Sequence, residues 1–211
     1  MKQRLARGFL RATGWRLRGE APSRRCVLIA APHTSNWDLL WMLTFGWAFG
    51  FSPRFMMKHT VFVGPAGWLF RKVGGIAIVR HRQGGMVKQM ADAFEGAEEL
   101  RLVVPPEGTR SRKPYWKSGF YHIAREAGVP VSLSFLDYGC REAGFGPEVT
   151  ITGNVVEDMD LIRDFYADKV GRHPHLMGEI RLVEEELAAR DVAPAAPEGD
   201  LLDAEGTSPA P

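Results

Sequence analysis

The chain has 211 residues, 45% hydrophobic and 25% charged, which excludes a wholly disordered protein, a collagen-like fibre and a disulfide scaffold. One soluble globular domain with room for a tail remains. The formal net charge is only +2 but is unevenly spread. Residues 1–25 carry eight basic side chains against Glu20, residues 191–211 carry five acidic and no basic ones, and 26–190 are balanced. Cys26 lies in an apolar run and reads as a small hydrophobe, and neither it nor Cys140 belongs to a metal-ligand or redox pattern.

Residues 2–12 have helical periodicity, with Leu5, Phe9 and Ala12 on one stripe and Arg4, Arg7, Arg11 and Arg18 on a neighbouring one. Such a segment suits an anionic membrane surface and equally a helix docked on a core with a solvated basic face. The apolar run 27–31 ends at Pro32 and predicts a buried strand. A polar knot at 33–38 precedes the Trp-rich apolar segment 39–51, which is too short to span a bilayer and reads first as a buried helix. Residues 54–58 predict a strand, 65–73 a helix opened by Pro65, 76–79 a strand and 86–100 a helix.

The run 102–104 predicts a strand stopped by Pro105-Pro106, and 117–127 a helix ended by Gly128. Residues 131–136 and 148–155 predict strands, and 161–170 and 178–190 helices. Strands alternating with helices imply a single α/β domain with a largely parallel sheet flanked by helices. From Asp191 onward, Ala, Pro, Gly and acidic residues predict a disordered tail. The expected organisation is a basic amphipathic segment 1–24, a catalytic domain 25–190 and a tail 191–211. No run approaches the ~20 apolar residues of a membrane span, and the N-terminus lacks the apolar core of a secretory signal, so the expected location is the cytoplasm.

Two polar clusters follow strand runs, where open α/β sheets place their chemistry. In the first, His33 and Asp38 cannot meet on one continuous helix, because five residues separate their side chains by ~140°. If His33 lies in the turn and Ser35 or Asn36 caps the next helix, Asp38 can reach back to the imidazole, fix its tautomer and leave the other nitrogen as a general base. For an isolated pair, a capping turn with a backbone-bonded histidine is the more ordinary reading. In the second cluster, Arg110, Arg112, Lys113 and Lys117, with Gly108 and Gly119, suit an anionic ligand such as a phosphate. A solvated basic loop is as good a reading of that cluster alone. No G-x-S-x-G, H-E-x-x-H, G-x-G-x-x-G or nucleotide P-loop occurs. His173 and His175 lack a third ligand nearby in sequence and read as solvent-facing.

Taken together, His33–Asp38, Gly75-Ile76-Ala77-Ile78-Val79-Arg80, Pro106-Glu107-Gly108-Thr109-Arg110-Ser111 with Lys117-Ser118-Gly119, and Gly128-Val129-Pro130-Val131 occur in the order of four motifs. In this the chain resembles the glycerolipid acyltransferase family, whose type members are 1-acylglycerol-3-phosphate acyltransferases. It looks closest to small bacterial members that read H-T-S-N-W-D. The resemblance covers residues 25–137. Ala77 and Val79 replace the family's usual Pro and Asp, Ser132 replaces a usual Pro, and there is no room for the two-helix N-terminal bundle of some members.

The resemblance implies a glycerol-3-phosphate acyltransferase-like fold and transfer of a fatty acyl group from acyl-CoA or acyl carrier protein to the hydroxyl of a lysophospholipid, as in phospholipid biosynthesis. His33 would be the base, oriented by Asp38. Arg80, Arg110 and Lys117 would hold the acceptor phosphate, with Glu107, Gly108 and Thr109 shaping that pocket. No cofactor or metal is expected, and the enzyme would sit peripherally on the inner face of the cell membrane. Two alternatives stand beside this: the same chemistry on a lyso-ornithine lipid or specialised metabolite, and a non-catalytic peripheral lipid-binding protein. Nucleic acid is not an expected partner, because the body is neutral and its aromatics do not interleave with basic residues.

Overall fold

The computed structural model describes residues 1–78 and 85–192. Seven strands form one sheet: β1 (Arg16–Arg18), β2 (Arg25–Ala31), β3 (Arg54–Lys58), β4 (Gly75–Ile78), β5 (Leu100–Val104), β6 (Val131–Asp137) and β7 (Glu142–Val149), in the order β1-β7-β6-β2-β5-β3-β4. Every neighbouring pair is parallel except β6 and β7, which form an antiparallel hairpin. Seven helices connect or cover the strands: α1 (Lys2–Ala12), α2 (Trp37–Phe49), α3 (Gly64–Lys72), α4 (Gly85–Glu95), α5 (Gly119–Ala127), α6 (Val155–Tyr166) and α7 (Val183–Val192).

The central strands are apolar on both sides, and their alternation divides the core into two layers. Val27, Ile29 and Ala31 of β2, with Leu100, Leu102 and Val104 of β5, pack beneath Phe94 of α4, Phe120 and Ile123 of α5 and Met159 and Ile162 of α6. Cys26 and Leu28, with Val103, face the opposite way, towards Leu43 of α2, Phe51 and Phe55. Cys26 is fully buried and packs as a hydrophobe. The segment 39–51 is accordingly a core helix, ended by Gly50 in the left-handed region at φ 95°.

The N-terminal residues are built into the same body. α1 lies on α2 through Ala6 and Leu10, and Gln3 Nε2 and Arg7 Nε donate to the Ala48 carbonyl at 3.2 and 3.0 Å. The buried seam is thus one residue away from the expected Leu5–Phe9–Ala12 stripe, which leaves Leu5 and Phe9 on the outside. β1 is too short and too charged to be read from its composition, yet it pairs in parallel with β7.

Several boundaries differ from those expected. The helix expected at 86–100 ends at Glu95, before Gly96, so that Leu100 already belongs to β5. The strand expected at 148–155 lies earlier, at Glu142–Val149. Gly153, at φ 100°, breaks the β-branched run, and Asn154 then caps α6, its side chain accepting from Glu157 N at 3.5 Å. For the same reason α6 starts six residues before the expected 161, and α7 begins only at Val183. α7 runs to Val192, into the segment expected as a tail, and the rest of that tail lies outside the described residues.

β1 approaches β7 closest at Gly144, where a Cβ would stand 1.9 Å from the Arg18 carbonyl oxygen. A backbone atom cannot rotate away, so Gly144→Ala is expected to destabilise the fold by about 1–3 kcal/mol, the ordinary cost of overpacking. The check is the urea midpoint, lowered at an unchanged denaturant dependence.

Candidate active site

Both polar clusters stand where parallel strands end, on adjacent strands β2 and β5. The chain leaves β2 through a cis Ala31–Pro32 bond and turns at His33–Asn36 into α2. Ser35, not Asn36, supplies the side-chain cap, its Oγ accepting from Trp37 N at 3.2 Å. Asp38, in the first turn of α2, points back into the turn. Its Oδ2 accepts from Ser35 N at 2.9 Å and lies 3.0 Å from His33 Nδ1, and its Oδ1 accepts from Tyr138 OH at 2.7 Å.

Asp38 is buried, and the His33 side chain is 19% exposed. An acceptor-only carboxylate against Nδ1 requires the proton on that nitrogen. Nε2, which has no hydrogen-bond partner among the described residues, is thereby left as the acceptor. His33 is thus bonded to a carboxylate and not to backbone alone, the geometry a base with an orienting partner would need.

Glu107 sits elsewhere than the acceptor-pocket reading implies. Its side chain is buried beneath the His33 turn, and Oε1 accepts the His33 backbone N–H at 2.9 Å. It lines a small space with Trp116 and Tyr166 rather than the large cavity. Oε2 has no hydrogen-bond partner among the described residues, and burial pushes the carboxyl above its ordinary 4.5. Glu107 therefore ties the two clusters together from below. Thr109 faces its neighbour Ser111, its Oγ1 3.2 Å from the Ser111 Oγ, and does not line the cavity either.

A cavity of about 720 Å³ lies between α2 and the sheet, and His33 and Asp38 are among the residues that line it. Its interior is apolar, formed by Leu28, Met42, Phe45, Phe51, Phe55 and Phe145 among others. Arg110 and Lys117, both exposed, stand at its wall with Gly108. Gly108, at φ 63°, lets the Lys117 stem close over it, since a Cβ there would lie 2.8 Å from that side chain. Lys58, at the end of β3, joins them. Sequence reasoning missed Lys58, whose one signal is its position at a strand end. Arg80 lies outside the described residues. Among the described residues, no group of three His, Cys, Asp or Glu is placed to hold a metal ion.

A basic imidazole, a long apolar space and a cationic rim in one cavity suit attack by a hydroxyl on an activated acyl group. The comparisons with known proteins agree in fold and family. A family model described as Acyltransferase matches residues 16–132, more than half of the chain, from β1 into β6 and including both clusters. The crystal structure of the 1-acyl-sn-glycerophosphate (LPA) acyltransferase PlsC from Thermotoga maritima is similar in fold, with a TM-score of 0.54 and 17% identity over 78% of this chain and 74% of that one. No curated protein matches the sequence.

The buried Glu107 carboxyl has a measurable consequence. Because its folded-state value is raised, the folded protein holds this proton more tightly than the unfolded chain. Its contribution is full below the ordinary carboxylate value and is lost as pH rises through the raised one. Glu107→Gln keeps an oxygen for the His33 N–H but cannot ionise. Its stability relative to wild type is expected to improve as the pH of urea unfolding is raised from about 4 to about 7. A difference independent of pH would show that Glu107 titrates as it does in the unfolded chain.

Proposed function

The chain belongs to the acyltransferase family, and from that premise we propose that it moves a fatty acyl group from acyl-CoA or acyl carrier protein to the hydroxyl of a lysophospholipid such as 1-acylglycerol 3-phosphate. The observation that carries the reading is the opening of the His33–Asp38 pair into an apolar cavity whose wall also holds Arg110 and Lys117. At about 720 Å³ the cavity is of ligand size, and its lining favours an alkyl chain over a polar donor. The rim cations offer charge-assisted bonds to a phosphate, with Lys58 beside them and Arg80 retained from the sequence motif.

In the proposed reaction the acceptor hydroxyl attacks the thioester carbonyl while His33 Nε2 removes its proton. The tetrahedral adduct then collapses, the carbon–sulfur bond breaks, and the thiolate leaves and takes the proton from the imidazolium. Asp38 stabilises that imidazolium and keeps its ring in register. A thiolate is a good enough leaving group for direct transfer without a covalent acyl-enzyme.

His33→Ala is expected to lower kcat by about 10²–10⁴-fold, the usual contribution of a positioned base. The assay uses radiolabelled acyl-CoA and acyl carrier protein donors with a panel containing lysophosphatidic acid and lyso-ornithine lipid. Product on lysophosphatidic acid alone supports a phosphate-gripping rim, and preference for lyso-ornithine lipid moves the acceptor to the non-phosphate class. Equal turnover by wild type and variant removes His33 as the base. Silence of both with every donor supports a non-catalytic lipid-binding protein.

Substrates of this kind reside in membranes, and we propose peripheral docking on the anionic inner face of the cell membrane. No helix among the described residues is long and apolar enough to cross a membrane. Leu5 and Phe9 of α1, Trp37 and Leu40 of α2, and Trp68 and Leu69 of α3 are exposed, and Arg4, Arg11 and Lys72 are exposed beside them. Apolar side chains set among cations are what an anionic interface holds. Flotation with phosphatidylglycerol vesicles is expected for wild type and is expected to fall for the Leu5→Glu, Leu40→Glu double variant at an unchanged unfolding temperature. Equal flotation of the two would place the contact elsewhere.

A further inference from the structure

Asp38 receives a third hydrogen bond that no motif in the chain announces, from a tyrosine 100 residues away. We infer that Tyr138 is a positioning residue for the His33–Asp38 pair, holding the carboxylate against Nδ1 and setting how strongly the imidazole takes up a proton. The inference rests on the reading of His33 as the general base.

The geometry around Tyr138 is that of a fixed support. Asp38 is buried, and its Oδ2 is already occupied by His33 Nδ1 and the Ser35 N–H. Tyr138 OH fills the remaining oxygen at 2.7 Å, so the carboxylate cannot rotate about its χ2 without breaking a bond. The tyrosine is itself pinned. Its backbone N–H donates to the Val170 carbonyl at 2.8 Å, and the preceding Asp137 closes the turn by accepting from Gly139 N at 2.8 Å and Cys140 N at 3.3 Å. Its ring meets Trp15 edge-on with centroids 5.2 Å apart, and the Arg172 guanidinium lies 6.0 Å from the ring centroid on another side. Burial first, and the Asp38 carboxylate next, push the phenol well above its ordinary value, so the hydroxyl remains a donor at every pH the enzyme meets.

The electrostatic consequence has a definite sign. A donor on Oδ1 withdraws negative charge from the carboxylate and so weakens its hold on an imidazolium. Removing the hydroxyl strengthens that hold. Among the described residues, the other charged or titratable groups near the pair are Glu107 below the turn, Lys58, Arg110 and Lys117 on the cavity wall, and Arg172 beside Tyr138. Tyr138→Phe replaces none of these side chains, and of them only Arg172, which also interacts with the Tyr138 hydroxyl, loses a contact.

Tyr138→Phe keeps the ring against Trp15 and deletes one oxygen. Its kcat is expected to fall about tenfold, in the range of other outer-shell supports, with KM for donor and acceptor unchanged. The acid limb of its pH–kcat profile should move to higher pH, and the His33 imidazole, followed by NMR, should titrate at higher pH. His33→Ala is measured alongside. An inactive His33→Ala with Tyr138→Phe matching wild type in kcat, pH profile and imidazole titration overturns the role of Tyr138 and leaves the base intact. A fully active His33→Ala overturns the base itself. Equal loss of kcat and rise of KM in Tyr138→Phe, with an unmoved titration, assigns the residue to packing and overturns the inference.

Discussion

The site depends on one buried carboxylate. Asp38 is enclosed between the start of α2 and the sheet, and a charge in that position persists only if its oxygens are satisfied. The three donors that satisfy it come from the turn after β2, from the imidazole it orients and from the turn between β6 and β7. Each constrains a different part of the machinery: the Ser35 N–H fixes the turn, the imidazole becomes directional, and Tyr138 ties the pair to the turn that joins β6 to β7. The desolvation of one group is thus offset by bonds that also produce the geometry acid–base chemistry requires.

Beneath the same turn, Glu107 performs the complementary task on the backbone. Its Oε1 holds the His33 N–H, so the clusters after β2 and β5 are tied to each other. The parallel pairing of those strands brings the clusters side by side, and the crossover through α2 roofs the space in front of them. α2 leaves that space unfilled between Leu28, Met42 and Phe55. A well-packed interior of this size would ordinarily close. An apolar cavity kept open beside the His33–Asp38 pair and the cations of its wall is what distinguishes the proposed acyl-transfer site from a structural core.

The elements themselves were largely legible. Apolar runs located β2, β3, β4 and β5, periodicity located α1 and α4, a continuous apolar stretch located α2, and Pro65 and Gly128 marked α3 and α5. Errors fell where local preference yields to a few residues. Thr150 to Val156 is β-branched at several positions, but Gly153 and Asn154 turn the chain and cap α6. β1 has two arginines in three residues and becomes a strand only because β7 offers a free edge. Within the site, His33, Asp38, Gly108, Arg110 and Lys117 were legible because the motif spacing carries them. Lys58 and Tyr138 were not, since neither stands in a pattern that distinguishes it from an ordinary strand end or turn.

By itself the sequence determined the α/β alternation, the order of the strand-end clusters and the residue types for acyl transfer, because these are local properties of spacing, turn chemistry and side-chain identity. Only the tertiary structure decided what each residue does. It turned Glu107 away from the large cavity and under the His33 backbone, buried Ala6 and Leu10 while leaving Leu5 and Phe9 outside, and brought Tyr138 onto Asp38. Those outcomes depend on burial and on contacts between residues far apart in the chain. Such contacts follow from how the layers pack and are not encoded in any one stretch.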